Sequence, residues 1–86
     1  MDIEIEEKTR ALLSDILGLS AEQVAAMEDD TPLFGALPQL DSMAVAGLLT
    51  EIEDRFDIIV DDDDVDGELF GNFGNLMRFI QSKVAE

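Results

Sequence analysis

The apolar positions of the chain fall into three stripes of helical period, separated by polar connections that contain glycine or proline. Ile5, Thr9, Leu12, Leu13, Ile16 and Leu17 recur at three- and four-residue steps, which predicts a helix from Asp2 to Leu17 with Gly18 as its left-handed stop. In SAEQVAAM, Ser20 and Gln23 have the spacing of a capping box, so a short helical turn should follow. EDDTPLFGALPQL then reads as a long connection. Loops of that length are rarely left unanchored in a compact domain, and Leu33, Phe34 and Leu37 are expected to pin this one to the core.

A second long helix should start at Ser42, with Asp41 as its N-cap and Leu40 and Val45 at the hydrophobic-staple positions. Met43, Ala46, Leu49, Ile52 and Phe56 continue one apolar face, and Glu51, Glu53, Asp54 and Arg55 fall largely outside it. After DIIV and DDDDVDGELFG, a last helix is expected from about Phe73 to Val84, capped by Asn72, with Phe73, Met77, Ile80 and Val84 facing inward. IIV is too short to build a sheet. The expected fold is all-α, a small bundle of three main helices plus short helical turns, forming a single domain over residues 1–86.

Charge narrows the partners. With 21 acidic against 5 basic residues the formal charge is −16, which repels nucleic-acid phosphates and anionic lipid headgroups and favours basic protein surfaces or cations. A hydrophobic content of 47% at ordered spacing is too high for a disordered acidic tail. No apolar run approaches the roughly 20 residues that span a bilayer, and the opening MDIEIEEKTR lacks the basic-then-apolar pattern of a signal peptide, so no membrane insertion and a cytoplasmic location are expected. The chain has no cysteine and no histidine, which excludes disulfides, thiol catalysis and the usual general base near neutral pH.

Against that background the pair Asp41-Ser42 needs a role. A nucleophilic serine requires a base within reach; Lys8 and Lys83 lie near the termini on helix faces expected to be solvated, and an ordinary aspartate is a poor base. The chain is therefore not expected to be an enzyme. Ser42 can be a plain first-turn residue, or a hydroxyl that another enzyme modifies, because a helix start projects it outward and its N–H groups and dipole suit an attached phosphate.

The segment LDSMAVAGLLTEIEDRF resembles the serine-bearing helix of acyl carrier and peptidyl carrier proteins, whose motif is Asp-Ser-Leu or Asp-Ser-Met followed by an apolar helix. The likeness extends to the apolar first helix, the loop with Leu33 and Phe34, and ELFGNFGNLMRFI toward the end of the chain. The resemblance implies a carrier of this family: a phosphopantetheinyl transferase would attach 4′-phosphopantetheine from coenzyme A to Ser42, and the arm's thiol would hold an acyl or aminoacyl group as a thioester. Asp41 would position the transferase's magnesium as well as cap the helix, and no metal is expected to reside on the carrier itself. Met43, Val45, Glu51, Glu53 and Asp54 would meet partners, namely the transferase, an acyl- or aminoacyl-loading ligase and a downstream acyltransferase or synthase. Ile58, Val60, Leu69 and Phe70 would shelter the cargo. Ala44 and Gly47 stand where such carriers commonly have acids, which points to a stand-alone carrier of a specialised lipid or secondary-metabolite pathway, and a monomer is expected.

The rival is a small acidic calcium-binding or protein-interaction module using the run from Asp62 to Glu68. Asp62, Asp64, Asp66 and Gly67 occupy positions one, three, five and six of an EF-hand loop, but position twelve is Phe73 where the loop needs a bidentate glutamate.

Overall fold

The computed structural model describes residues 3–65 and 67–85. Helix α1 (Ile3–Leu17) packs against each of the others: α2 (Ala21–Ala25), α3 (Ser42–Phe56) and α4 (Phe73–Val84). A single 3-10 turn, Asp62–Asp64, interrupts the connection between α3 and α4. Among the described residues no strand forms; the one backbone bridge pairs Pro32 with Asn72.

The start of each later helix follows from its cap. Ser20, Asp41 and Asn72 each take an extended backbone, and each side-chain oxygen accepts the N–H three residues on, from Gln23, Ala44 and Asn75 at 3.1, 2.9 and 2.7 Å. Gly18, at φ 70°, carries the chain out of α1 through the left-handed region that a side chain disfavours.

The core is the α1 stripe of Ile5, Leu12, Leu13 and Leu17 meeting Leu48 and Ile52 of α3 and Phe73, Leu76, Met77 and Ile80 of α4. Thr9 is buried among them because its hydroxyl donates to the carbonyl of Ile5 at 2.7 Å, which removes the penalty of an unpaired polar group. Three expectations need correction. On α3 the buried positions are Leu48 and Ile52, with Val45, Leu49 and Phe56 packed beside them, while Met43 and Ala46 face solvent. Apolar residues surround the first half of this helix, so its period alone admits more than one inward arc, and docking on α1 selects one. On α4, Leu76 is buried and Val84 is 42% exposed, because the helix has run past the core by its last turn. In the long connection Leu33 is buried and Leu37 half-buried, but Phe34 is 55% exposed.

That connection is held by main-chain bonds. The N–H groups of Gly74 and Phe73 donate to the carbonyls of Asp29 and Thr31, and those of Leu33 and Phe34 donate to Gly71 and Phe70, at 2.8 to 3.3 Å. Residues 29–34 thus lie antiparallel across the start of α4. Arg10 fastens the other side of the loop: its guanidinium donates to the carbonyls of Val24 and Met27 and lies 4.7 Å from the centre of the Phe73 ring.

Candidate functional site

Ser42 is the first residue of α3 and is exposed, as is Asp41 before it. The Asp41 carboxylate accepts the N–H of Ala44, and its carbonyl accepts the first intrahelical bond, from Val45, at 2.9 Å. Leu40 is buried and Val45 packs on the core, so the chain enters the helix at a fixed angle with the serine turned outward. Met43, 84% exposed, stands beside it.

One helical turn from Ser42, Val45 borders an apolar cavity of about 210 Å³ lined also by Phe34, Val65, Gly67 and Phe70. Phe34 and Phe70 are joined through their backbones at 2.8 Å, so the aromatic side of the cavity belongs to the loop clamp on α4. The cavity differs from the cargo shelter expected from sequence. Phe70 lines it, but Ile58 and Val60 are half-buried against the core elsewhere. Leu69 lines a different hollow, of about 180 Å³, with Asp64, Glu68, Asn75, Arg78 and Phe79. The sequence does not point to Phe34, Val65 and Gly67 there, since only long-range folding brings Phe34, Val45, Val65, Gly67 and Phe70 together.

The expected partner residues do not form one free face. Met43 and Asp54 are exposed, and Val45 is half-buried at the cavity. Glu51 is paired with Arg55 at 2.9 Å, and Arg55 also reaches Asp15 of α1 at 3.0 Å. Hydrogen bonds to Glu51 and then Asp15 hold the Arg55 guanidinium above its ordinary pKa. Glu53 turns toward the chain end of its own helix, where its carboxylate accepts the N–H of Val60 at 2.9 Å. This frees fewer acids for partners than the sequence suggests.

The acidic run shows a different use of charge. Lys83, expected on a solvated face, has a side chain only 12% exposed, and its ammonium lies 2.7 Å from Asp64 and 3.9 Å from Asp61. The Asp64 carboxyl also accepts the N–H of Asp61. Its pKa is held below the ordinary value, chiefly by the hydrogen bond from Lys83 and secondly by that backbone N–H. In the EF-hand reading Asp64 would face a cation; here it faces a lysine, and Phe73 at the loop's last position begins a helix and is buried. Asp66, another ligand of that reading, lies outside the described residues, as does the side chain of Asp62. Among the described residues no group of three or more potential ligands is arranged to hold a metal.

A capped, exposed serine next to an apolar cavity is the geometry on which comparison with known proteins bears. A family model described as a phosphopantetheine attachment site matches residues 7–80. The chain belongs to that family. An acyl carrier protein of Cyanidium caldarium is 33% identical over 81 residues, covering 94% of this chain and 87% of that protein. An acyl carrier protein of Nitratidesulfovibrio vulgaris is 34% identical over 62 residues, covering 72% of this chain and 76% of that one. The solution structure of a holo acyl carrier protein from Nitrosomonas europaea superposes with a TM-score of 0.86 at 34% identity, covering 99% of this chain and 100% of that one.

The protein is an acyl carrier protein, a carrier and not an enzyme, and its prosthetic group is a covalently attached phosphopantetheine. Acyl carrier proteins in general work with a phosphopantetheinyl transferase and with acyl-handling enzymes. Among the described residues no helix is long and apolar enough to cross a membrane. The residues at the head of α3 fit such a group: a hydroxyl in solvent, a helix N-terminus that favours a phosphodiester, and an apolar cavity one turn away.

Proposed function

We propose that Ser42 is the attachment residue and that the protein carries an acyl group for a specialised lipid or secondary-metabolite pathway. The observation that carries the assignment is the exposure of Ser42 at a capped helix start within the span matched by the attachment-site family. In the loading step the Ser42 oxygen bonds to phosphorus as the bond to the nucleotide portion of coenzyme A breaks, and the hydroxyl proton passes to a base on the transferase. The chain has no histidine or cysteine to take that role itself. Once attached, the arm supplies the thiol on which the cargo is held as a thioester. Asp41 has two tasks: it caps α3, and its exposed carboxylate offers a hard oxygen to the transferase's magnesium.

Residues 1–86 act as one carrier domain, monomeric and cytoplasmic. The first turn of α3 has no acidic residue, so recognition near Ser42 rests on Met43 and the apolar rim, with Asp54 and the overall charge of −16 steering basic partner surfaces from further away. The sheltered end of the cargo sits between Phe34, Val45, Val65, Gly67 and Phe70, an all-apolar lining that favours a hydrocarbon chain over an aminoacyl group, whose charged amine would be left unpaired there. Incubation with coenzyme A, magnesium and a broad-specificity transferase, followed by intact mass measurement, is expected to show one phosphopantetheine increment that disappears in Ser42→Ala. Absence of the increment, or its persistence in Ser42→Ala, overturns the assignment.

A further inference from the structure

Two hollows border the connection between α3 and α4. Val65 and Gly67 face the apolar cavity beside α3, while Asp64, Glu68 and Leu69 face the second hollow, whose far wall is Asn75, Arg78 and Phe79 of α4. The described residues of this stretch line both hollows, and their position depends on the anchors at either end.

The anchors are unequal. Toward Phe70, the carbonyl of Glu68 accepts the Asn75 side-chain amide at 2.9 Å and the Gly71 N–H at 3.0 Å, and the Phe34–Phe70 bond ties the chain to the loop clamp. At the other end, Glu53 holds Val60 to α3, and Lys83, with a side chain only 12% exposed, ties the Asp61–Asp64 turn to α4. Asp64 is immediately before Val65, so displacement of the turn displaces the cavity wall.

We propose that Lys83 is a positioning residue for the carried acyl group: by fixing the Asp61–Asp64 turn to α4 it sets how closely Val65 and Gly67 cover a chain entering from Ser42. The proposal rests on Ser42 as the attachment point. Lys83 never touches the thioester; it acts through Asp64 and the wall. A cavity of about 210 Å³ is larger than an acetyl group needs and admits a hydrocarbon chain, so a medium-length chain gains from a closed wall and an acetyl group does not.

The test separates the two readings. Hydrogen exchange on the unmodified protein addresses the tie alone: in Lys83→Gln the Asp61 and Asp64 amides should exchange about fivefold faster, as for loss of a modest ion pair, with Leu12 and Leu13 unchanged. Asp64→Asn, which leaves the lysine in place, should do the same, and Lys83→Arg should restore the slow rate. On protein first shown by mass to be loaded, cleavage of an octanoyl thioester by hydroxylamine should accelerate by a similar factor in Lys83→Gln, and cleavage of an acetyl thioester should not. Unchanged exchange at Asp61 and Asp64, or equal acceleration at Leu12 and Leu13, overturns the positioning role. So does an octanoyl thioester no more labile than in the parent protein. Failure of Ser42 to accept the arm would instead overturn the attachment reading, with the exchange result still deciding whether Lys83 fixes the turn.

Discussion

The N-termini of α3 and α4 use the same local device to opposite ends. Each begins after an extended residue whose side-chain oxygen accepts the N–H three positions on. At α4 the loop 29–34 then crosses the opening turn: Phe73 and Gly74 donate to the carbonyls of Thr31 and Asp29, and Phe73 is 2% exposed. At α3 the corresponding residues, Ser42 and Met43, stand in solvent. The caps differ accordingly. The half-buried position has a neutral amide, Asn72, and the exposed one a carboxylate, Asp41, as expected from the cost of desolvating charge. A helix start is thus an anchor where another segment covers it and a presentation point where none does.

The sharpest way to break this contrast is Gly74→Ala. An added Cβ would sit 2.8 Å from the carbonyl oxygen of Asp29, a backbone atom fixed in the clamp, so a loss of about 2–3 kcal/mol in urea unfolding is expected from overpacking. A neutral result would mean that the loop does not press on the start of α4. Next in size are the caps: Asn72→Ala should cost about 1–2 kcal/mol and Asp41→Ala about 0.5–1, the partly buried end losing more because its freed N–H has less water to turn to. Equal losses would show that covering does not matter to the cap.

Gly47→Ala tests α3 from the other direction. Its Cβ would meet only the Ile16 side chain, at 3.9 Å, so α3 should gain about 0.5–1 kcal/mol from improved helix propensity, seen as a raised urea midpoint. Smallest of all, Met43→Gln should leave stability within about 0.5 kcal/mol of the parent, because an 84% exposed side chain holds little of the core. A larger loss would show that the surface beside Ser42 packs against another part of the chain.

Legibility tracked the range of the interactions involved. The caps Ser20, Asp41 and Asn72 were readable because each acts on a neighbour three residues away, and the stripe of α1 because one face of a helix is decided by spacing. The inward arc of α3 was not, since Met43, Ala44, Val45, Ala46, Leu48 and Leu49 nearly encircle it and only docking on α1 chooses Leu48 over Met43. Glu53 and Lys83 illustrate the same limit for charge. Composition treats them as surface ions, whereas the connection folding back past them enlists one to hold Val60 and the other to hold Asp64.

By itself, then, the sequence determined the helix starts and their caps, since these follow from neighbouring side chains, and the resemblance carried by LDSMAVAGLLTEIEDRF implied a thiol brought from outside. Which helix start is left bare, where the apolar cavity opens, and which lysine holds its wall were decided only by tertiary structure. Each of these depends on contacts between segments far apart along the chain, and no local spacing encodes those.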